Sequence, residues 1–97
     1  NYNYTSAENK KFDRKEWSIN KKRRFEMVEN LISDSLLLNK TRAETREMLG
    51  EPNENEGEEI KYLTGVKGSL YPQFYFLKIY FKNDKVVKVE SCVINDN

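Results

Sequence analysis

The clearest hydrophobic pattern in the chain is a regular alternation over residues 73–82, which predicts a strand with two different faces. One face carries Tyr75, Leu77, Ile79 and Phe81. The other face carries Phe74, Phe76, Lys78, Tyr80 and Lys82. The first set is the more uniformly apolar, so we expect it to face the core, and we expect the second set to lie on the outside of the sheet.

Two shorter apolar runs complete a predicted meander. Residues 60–64 form the first strand, and residues 86–94 return after a turn at Asn83-Asp84-Lys85, where Asn and Asp tolerate a left-handed backbone. The inward positions of the last strand are expected to be Val87, Val89 and Val93, with Lys88, Glu90 and Cys92 outward. Pairing of Phe81 with Val87 then requires a three-residue loop or a bulge around Asp84. Residues 65–72 are predicted to be loop.

Helical spacing dominates the part of the chain before the strands. Residues 21–35 repeat apolar side chains at helical intervals, with Arg24 and Glu26 mostly off the apolar face. A preceding turn of helix is predicted where Asp13 and Glu16 resemble a capping box, and it would fix Trp17 at the core edge.

A second helix is predicted over residues 42–49. Thr41 and Glu44 form a T-x-x-E capping box at its start, and Gly50 and Pro52 end it. The predicted fold class is therefore α+β, with two N-terminal helices packed on one face of a three-stranded antiparallel meander in the order ααβββ. Residues 1–11 are predicted to be a flexible N-terminal tail, and residues 12–97 a single domain.

Composition narrows the possible chemistry. The 97 residues include no His and a single Cys, Cys92, which removes the commonest general base and an internal disulfide. We expect no catalytic residues, no cofactor and no metal site, and Cys92 is interpreted as an incidental thiol. The acidic segment 51–59 has five Glu but lacks the ordered spacing of a calcium loop.

Charge is unevenly distributed although the net charge is only +1. Segment 51–59 carries −5, and segment 10–24 carries +6 from eight Lys/Arg and two acidic residues. The two segments either face each other or are separate solvated surfaces. The small net charge gives no reason to expect a nucleic-acid partner.

The best candidate for a contact surface is the outward face of residues 73–82. A partner-binding role is predicted for Phe74, Phe76, Lys78 and Tyr80, because exposed rings on the side away from the helices would form a large apolar patch. Tyr71, in the preceding loop, is a further candidate. Three alternatives stay open: coverage of the rings by an N-terminal tail carrying Tyr2 and Tyr4, dimerisation through this face, and a wrong assignment of which face of the strand points outward.

Tyr71 has an alternative of its own, which is packing on Trp17 or on a helix end. The aromatic and lysine side chains of the strand are also compatible with a nucleic-acid-binding module, in which bases stack on rings. That alternative is weakened by the order of elements, since helices precede strands. A hydrolase is disfavoured by the missing His and the missing nucleophile motifs.

The run Lys40-Thr41-Arg42-x-Glu44-x-x-x-x-Leu49-Gly50-x-Pro52 resembles the signature of the BamE/SmpA/OmlA-like family of small bacterial envelope lipoproteins. Phe12-Asp13-x-x-x-Trp17 and Tyr75-x-Leu77-x-Ile79-x-Phe81 fit an uncharacterised branch of it. The resemblance implies a fold like that of the β-lactamase inhibitor protein.

It also implies an extracytoplasmic setting, periplasmic or associated with the outer membrane, and a non-enzymatic scaffold or protein-binding role. Membrane contact is expected only through a lipid anchor that these residues do not include. The predicted partner is another protein or a second copy of the chain.

Overall fold

The computed structural model describes residues 10–95, which form three α-helices, one 3-10 turn and a four-stranded sheet. In chain order the elements are α1 (Arg14–Ile19), the 3-10 turn (Lys21–Arg23), α2 (Phe25–Ser33), α3 (Arg42–Leu49), β1 (Glu54–Glu56), β2 (Glu59–Lys67), β3 (Gln73–Lys82) and β4 (Lys85–Asn95). All neighbouring strands are antiparallel, in the order β1-β2-β3-β4. The predicted layout of two helices and three strands is therefore wrong, although the chain combines helices with an antiparallel sheet as expected.

The additional helix and the additional strand have local causes. The Asp13 side chain accepts a hydrogen bond from the Glu16 N–H at 3.0 Å, which starts α1 as a separate helix. The reciprocal half of the capping box is not formed, because the Asp13 N–H donates to the Met27 sulfur at 3.4 Å and the Glu16 carboxylate accepts from the Asn20 side-chain amide. In the predicted acidic loop, Gly57 takes a positive φ of 63°, and the resulting tight turn folds β1 back onto β2.

Helix α3 has the predicted bounds, and its capping box is confirmed. The Thr41 hydroxyl accepts from the Glu44 N–H at 3.1 Å, and the Glu44 carboxylate accepts from the Thr41 N–H at 2.9 Å. Gly50 ends the helix with a φ of 82°, which costs glycine no steric penalty. These bonds satisfy donors that the first turn would otherwise leave unpaired.

The core lies between the helices and one face of the sheet. The helical side contributes Trp17, Met27, Leu31, Leu37 and Leu49. The sheet contributes Ile60, Tyr62, Leu77, Ile79, Phe81 and Val86. Trp17 is fully buried within the core rather than at its edge, and the expected inward face of β3 is confirmed at Leu77, Ile79 and Phe81.

The predicted register of the last strand is wrong near its start. Asn83 and Asp84, both with positive φ, form a two-residue turn that pairs Lys82 with Lys85. Phe81 therefore pairs with Val86, and Tyr80 with Lys88. Val87 is left as an extra residue in a bulge, and it is 53% exposed rather than inward. Beyond the bulge, Val89 packs against the core as expected.

Strand β2 extends through three residues that the sequence indicated as loop. A second irregularity leaves Thr64 as the extra residue between the Leu63–Phe76 and Gly65–Tyr75 pairs, and its hydroxyl donates to the Tyr75 carbonyl at 3.0 Å. A β-carbon at Gly65 would lie 3.1 Å from Cδ2 of Phe25, so glycine allows Phe25 to approach the strand.

Two charged residues of the first helical region are buried, contrary to the sequence prediction. Glu26 pairs with Arg23 and lies 3.8 Å from the Lys10 ammonium group. Arg24 stacks its guanidinium 4.6 Å from the centre of the Trp17 ring and donates from Nε to the Trp17 carbonyl at 2.8 Å. Burial lowers the pKa of Arg24. These partners make burial of both charges acceptable.

Candidate protein-binding face

The face of the sheet opposite the helices is uncovered within residues 10–95. Cross-strand pairing arranges its side chains in four rows that run across the strands. We call this surface the open face. Its two rows near the β2–β3 loop are apolar, and its two rows near the β1–β2 and β3–β4 turns are charged.

The apolar rows contain three aliphatic side chains, two phenylalanines and the single cysteine. The first row is Val66, Phe74 and Ile94, and the second is Leu63, Phe76 and Cys92. None of these six residues belongs to the core or packs against it. The phenylalanines are half-buried by their neighbours, while Val66 is 54% and Ile94 44% exposed. The result is a contiguous apolar surface.

The lysines of the charged rows are all paired with glutamates. The third row is Glu54, Lys61, Lys78 and Glu90, and the fourth contains Glu56, Glu59, Tyr80 and Lys88. Lys61 lies 3.3 Å from Glu54, Lys78 lies 3.7 Å from Glu59, and Lys88 lies 3.5 Å from Glu90. Every lysine in these two rows therefore has a carboxylate within 4 Å.

Tyr80 is the centre of the charged half. Its hydroxyl donates to Oε2 of Glu90 at 2.9 Å, and the ammonium groups of Lys78 and Lys88 lie 5.6 and 5.3 Å from its ring centre. The hydrogen bond from Tyr80 lowers the pKa of Glu90, and interaction with the Tyr80 hydroxyl raises the pKa of Lys78. Both shifts favour the charged forms, so this half of the face is an ordered ionic network.

The structure places four of the five predicted site residues on one surface. Phe74, Phe76, Lys78 and Tyr80 all lie on the open face, with the two rings in the apolar rows and the other two residues in the ionic network. Tyr71 lies apart, in the β2–β3 loop, where it is 73% exposed. Packing of Tyr71 on Trp17 is therefore wrong. Whether these residues bind a partner stays a prediction.

Sequence reasoning missed the aliphatic part of the apolar rows. Leu63, Val66 and Ile94 were not singled out, because Val66 was assigned to a loop and the contact surface was predicted from β3 alone. The alternation of β3 alone identified only its own residues. The irregularity at Thr64 brings Val66 beside Phe74, and the bulge at Val87 brings Ile94 beside it.

Other kinds of site find little support in the described part of the chain. Residues 10–95 contain no group of three His, Cys, Asp or Glu side chains placed to hold a metal ion. No helix in this range is long and apolar enough to cross a membrane. The acidic segment 51–59 pairs with Arg46, Lys61 and Lys78 rather than with the basic segment 10–24, so the two charged segments do not face each other through these ion pairs.

Comparison with known protein families, with curated proteins and with solved structures gives no match for this chain. The resemblance to the BamE/SmpA/OmlA-like family therefore stays a prediction.

Proposed function

We propose that this chain is a non-enzymatic protein-interaction domain, and that its open face binds an apolar surface of a partner protein that carries no net charge. The observation that carries the proposal is the division of the open face. Phe74 and Phe76 lie among aliphatic side chains that no helix of the described chain covers. Apolar patches of this kind commonly mark interaction sites in soluble domains.

The ionic half of the face favours an apolar protein surface over a polyanion. Lys61, Lys78 and Lys88 are each balanced by a nearby glutamate. A nucleic acid would have to displace those carboxylates before it gained from the lysines, which removes most of the counterion-release advantage that drives such binding. A neutral partner gains from the apolar rows without disturbing the network.

The proposal includes the setting that the sequence resemblance implies, which is an extracytoplasmic (lipo)protein of the bacterial cell envelope. This part of the proposal rests on the sequence resemblance over residues 40–52.

Site-specific photo-crosslinking followed by a binding measurement tests the proposed function. A photoreactive phenylalanine analogue replaces Phe76 in the full chain, and the control carries it at Ile19, which is exposed on α1. A partner captured at position 76 but not at position 19 is then purified. We expect Phe74→Ser with Phe76→Ser to raise its Kd at least tenfold, or about 1.4 kcal/mol, and Ile19→Ser to leave the Kd unchanged.

Four results would contradict the proposal. An unchanged Kd for the double variant would show that the rings are not the binding surface. Adducts made only of two copies of the chain would identify a self-association face. Loss of binding in a Tyr2→Ser, Tyr4→Ser variant, with no effect of the ring substitutions, would place the contact elsewhere. Oligonucleotide adducts whose formation falls steeply with salt would indicate the nucleic-acid alternative.

A further inference from the structure

Strand β4 is an edge of the sheet, and most of its outer side is open. Its first part is closed, because Val86 accepts from the Asn39 N–H and donates to the Lys40 carbonyl, each at 2.9 Å. The bulge at Val87 follows directly and interrupts pairing at this edge. From residue 88 to residue 95, no backbone hydrogen bond to the outer side of β4 is formed within residues 10–95.

In the second half of the open edge of β4, the usual protection against addition of another strand is missing. Edge strands are commonly guarded by bulges, charged side chains or prolines. Here Val87 and Lys88 guard the beginning, whereas residues 91–95 contain no charge and no proline. Val93 and Ile94 are 47% and 44% exposed, on opposite faces of the strand. An incoming strand would cover both side chains.

The rows of the open face end at this edge in a defined chemical order. Going back along β4, they end with Ile94 and Cys92 from the apolar rows, then Glu90 and Lys88 from the ionic network. Directly opposite side chains on neighbouring strands interact most strongly, and opposite charges there are favourable while like charges are not. An added strand that matches this edge therefore has two apolar residues opposite Ile94 and Cys92, then a basic residue opposite Glu90 and an acidic residue opposite Lys88.

We propose that the partner binds by adding an antiparallel β-strand to residues 88–95 of β4, with the alternating pattern apolar-x-apolar-x-Lys/Arg-x-Asp/Glu. The proposal rests on the proposed function and names the form of the partner. Backbone hydrogen bonds supply affinity in this mode, and alternate side chains supply specificity. The basic residue of the partner faces Glu90, and the acidic one faces Lys88.

A second copy of β4 does not meet this description. A two-fold antiparallel pairing centred on Ser91 would place Lys88 opposite Ile94 and Glu90 opposite Cys92, each charge against a side chain that cannot balance it. A pairing centred on Val89 would match Lys88 with Glu90, but it would also require the part of the edge that Val86 and the Val87 bulge close. The pattern therefore favours a different chain.

Peptide binding to the full protein tests this inference. The matched probe is a fluorescent peptide as long as the open edge, with Val at both apolar positions, Lys and Glu at the charged ones, and Thr between them. Controls are the same peptide with alternate backbone amides N-methylated, and the same composition in reversed order. We expect N-methylation to weaken binding at least tenfold, and the reversed peptide to bind more weakly than the matched one.

Exchanging the two charges of the β4 edge tests the predicted pairing more directly than the control peptides do. In the variant Lys88→Glu, Glu90→Lys, we expect the preference to move to a peptide whose Lys and Glu are exchanged. Absence of peptide binding, equal binding of the N-methylated peptide, or an unchanged preference in the variant would overturn the proposal. If an identified partner depends on Phe74 and Phe76 but leaves the exchange rates of the β4 amides unchanged, strand addition is wrong and the proposed function stands. If it depends on neither, both are wrong.

Discussion

The indole N–H of Trp17 donates a hydrogen bond to the carbonyl oxygen of Leu49 at 2.9 Å, which joins α1 to the last turn of α3. The next carbonyl, that of Gly50, accepts from the Tyr62 hydroxyl at 2.7 Å. The Trp17 and Tyr62 rings meet edge to face, with centres 6.2 Å apart. Two carbonyls at a helix end, which otherwise lack partners, are thus satisfied by aromatic donors from a helix and a strand. This arrangement fixes α1 and α3 against β2.

Trp17→Phe tests this arrangement. The substitution leaves the Leu49 carbonyl without its buried partner and opens a cavity, so we expect a loss of about 2–4 kcal/mol in the free energy of unfolding. Urea denaturation followed by circular dichroism measures it. Ile19→Ala, on the exposed side of the same helix, should change the value by about 0.5 kcal/mol at most. Equal losses in the two variants would contradict the role given to Trp17.

Ionisation of the Tyr62 hydroxyl is expected to reduce the stability of the folded protein at alkaline pH. Burial raises the pKa of Tyr62 to about 12 from a model-compound value of 10.0. Because the folded state holds this proton more tightly than the unfolded state, its contribution is fully present below pH 10.0 and is lost as pH rises towards about 12. We expect Tyr62→Phe to reduce the decline in stability across this interval. A decline as steep as that of the unsubstituted protein would exclude Tyr62 as a cause.

Because of the capping box of α3, we expect substitution of Thr41 to have a moderate effect on the free energy of unfolding. Thr41→Ala removes the hydroxyl that accepts from the Glu44 N–H, so we expect a loss of about 1 kcal/mol in unfolding free energy. Thr41→Ser keeps the hydroxyl and should retain most of the stability. Thermal or urea denaturation of the three proteins checks the order. A serine variant as unstable as the alanine variant would point to packing of the Thr41 methyl group instead.

Gly65→Ala tests the contact between β2 and the start of α2. The added methyl group would meet Phe25 at 3.1 Å, and we expect a loss of about 1–3 kcal/mol from overpacking. In a Phe25→Ala background the added methyl group has room, so the same substitution should cost much less. A double-mutant cycle measures this coupling. Additive losses would show that the cost at Gly65 does not come from Phe25.

The parts of the fold that the sequence predicted well depend on interactions between near neighbours in the chain. The capping box, Gly50 and Pro52 defined α3, because each acts within a few residues of its partner. The two-sided pattern of β3 was equally local, and it correctly separated Leu77 and Ile79 from Phe74 and Phe76.

The parts that the sequence did not predict depend on turn geometry and on charge pairing, which the pattern of apolar and polar residues does not show. Strand β1 is short and fully polar, and it exists because Gly57 turns it onto β2. The Val87 bulge follows from the geometry of the Asn83-Asp84 turn, and it reverses the expected direction of Val87. Burial of Glu26 needs Lys10 and Arg23 nearby, so a pattern that counts charge as exposed misplaces it.

The candidate site shows the same limit. The alternation of β3 identified Phe74, Phe76, Lys78 and Tyr80, but not the division of the open face into an apolar half and an ionic half. That division depends on which residues of β2 and β4 lie beside each ring, and the pattern of β3 alone does not show them.

The most direct test of the central claim compares two kinds of substitution in β3 under monomeric conditions. Phe74→Ser and Phe76→Ser remove rings of the open face, and we expect each to cost about 0.2–1 kcal/mol of unfolding free energy through lost cross-strand contacts. Leu77→Ala, next to Phe76 but on the core face of β3, should cost about 2–5 kcal/mol. A combined loss for the two ring substitutions as large as that of Leu77→Ala would show that the rings belong to the core, and would contradict the assignment of the open face to partner binding.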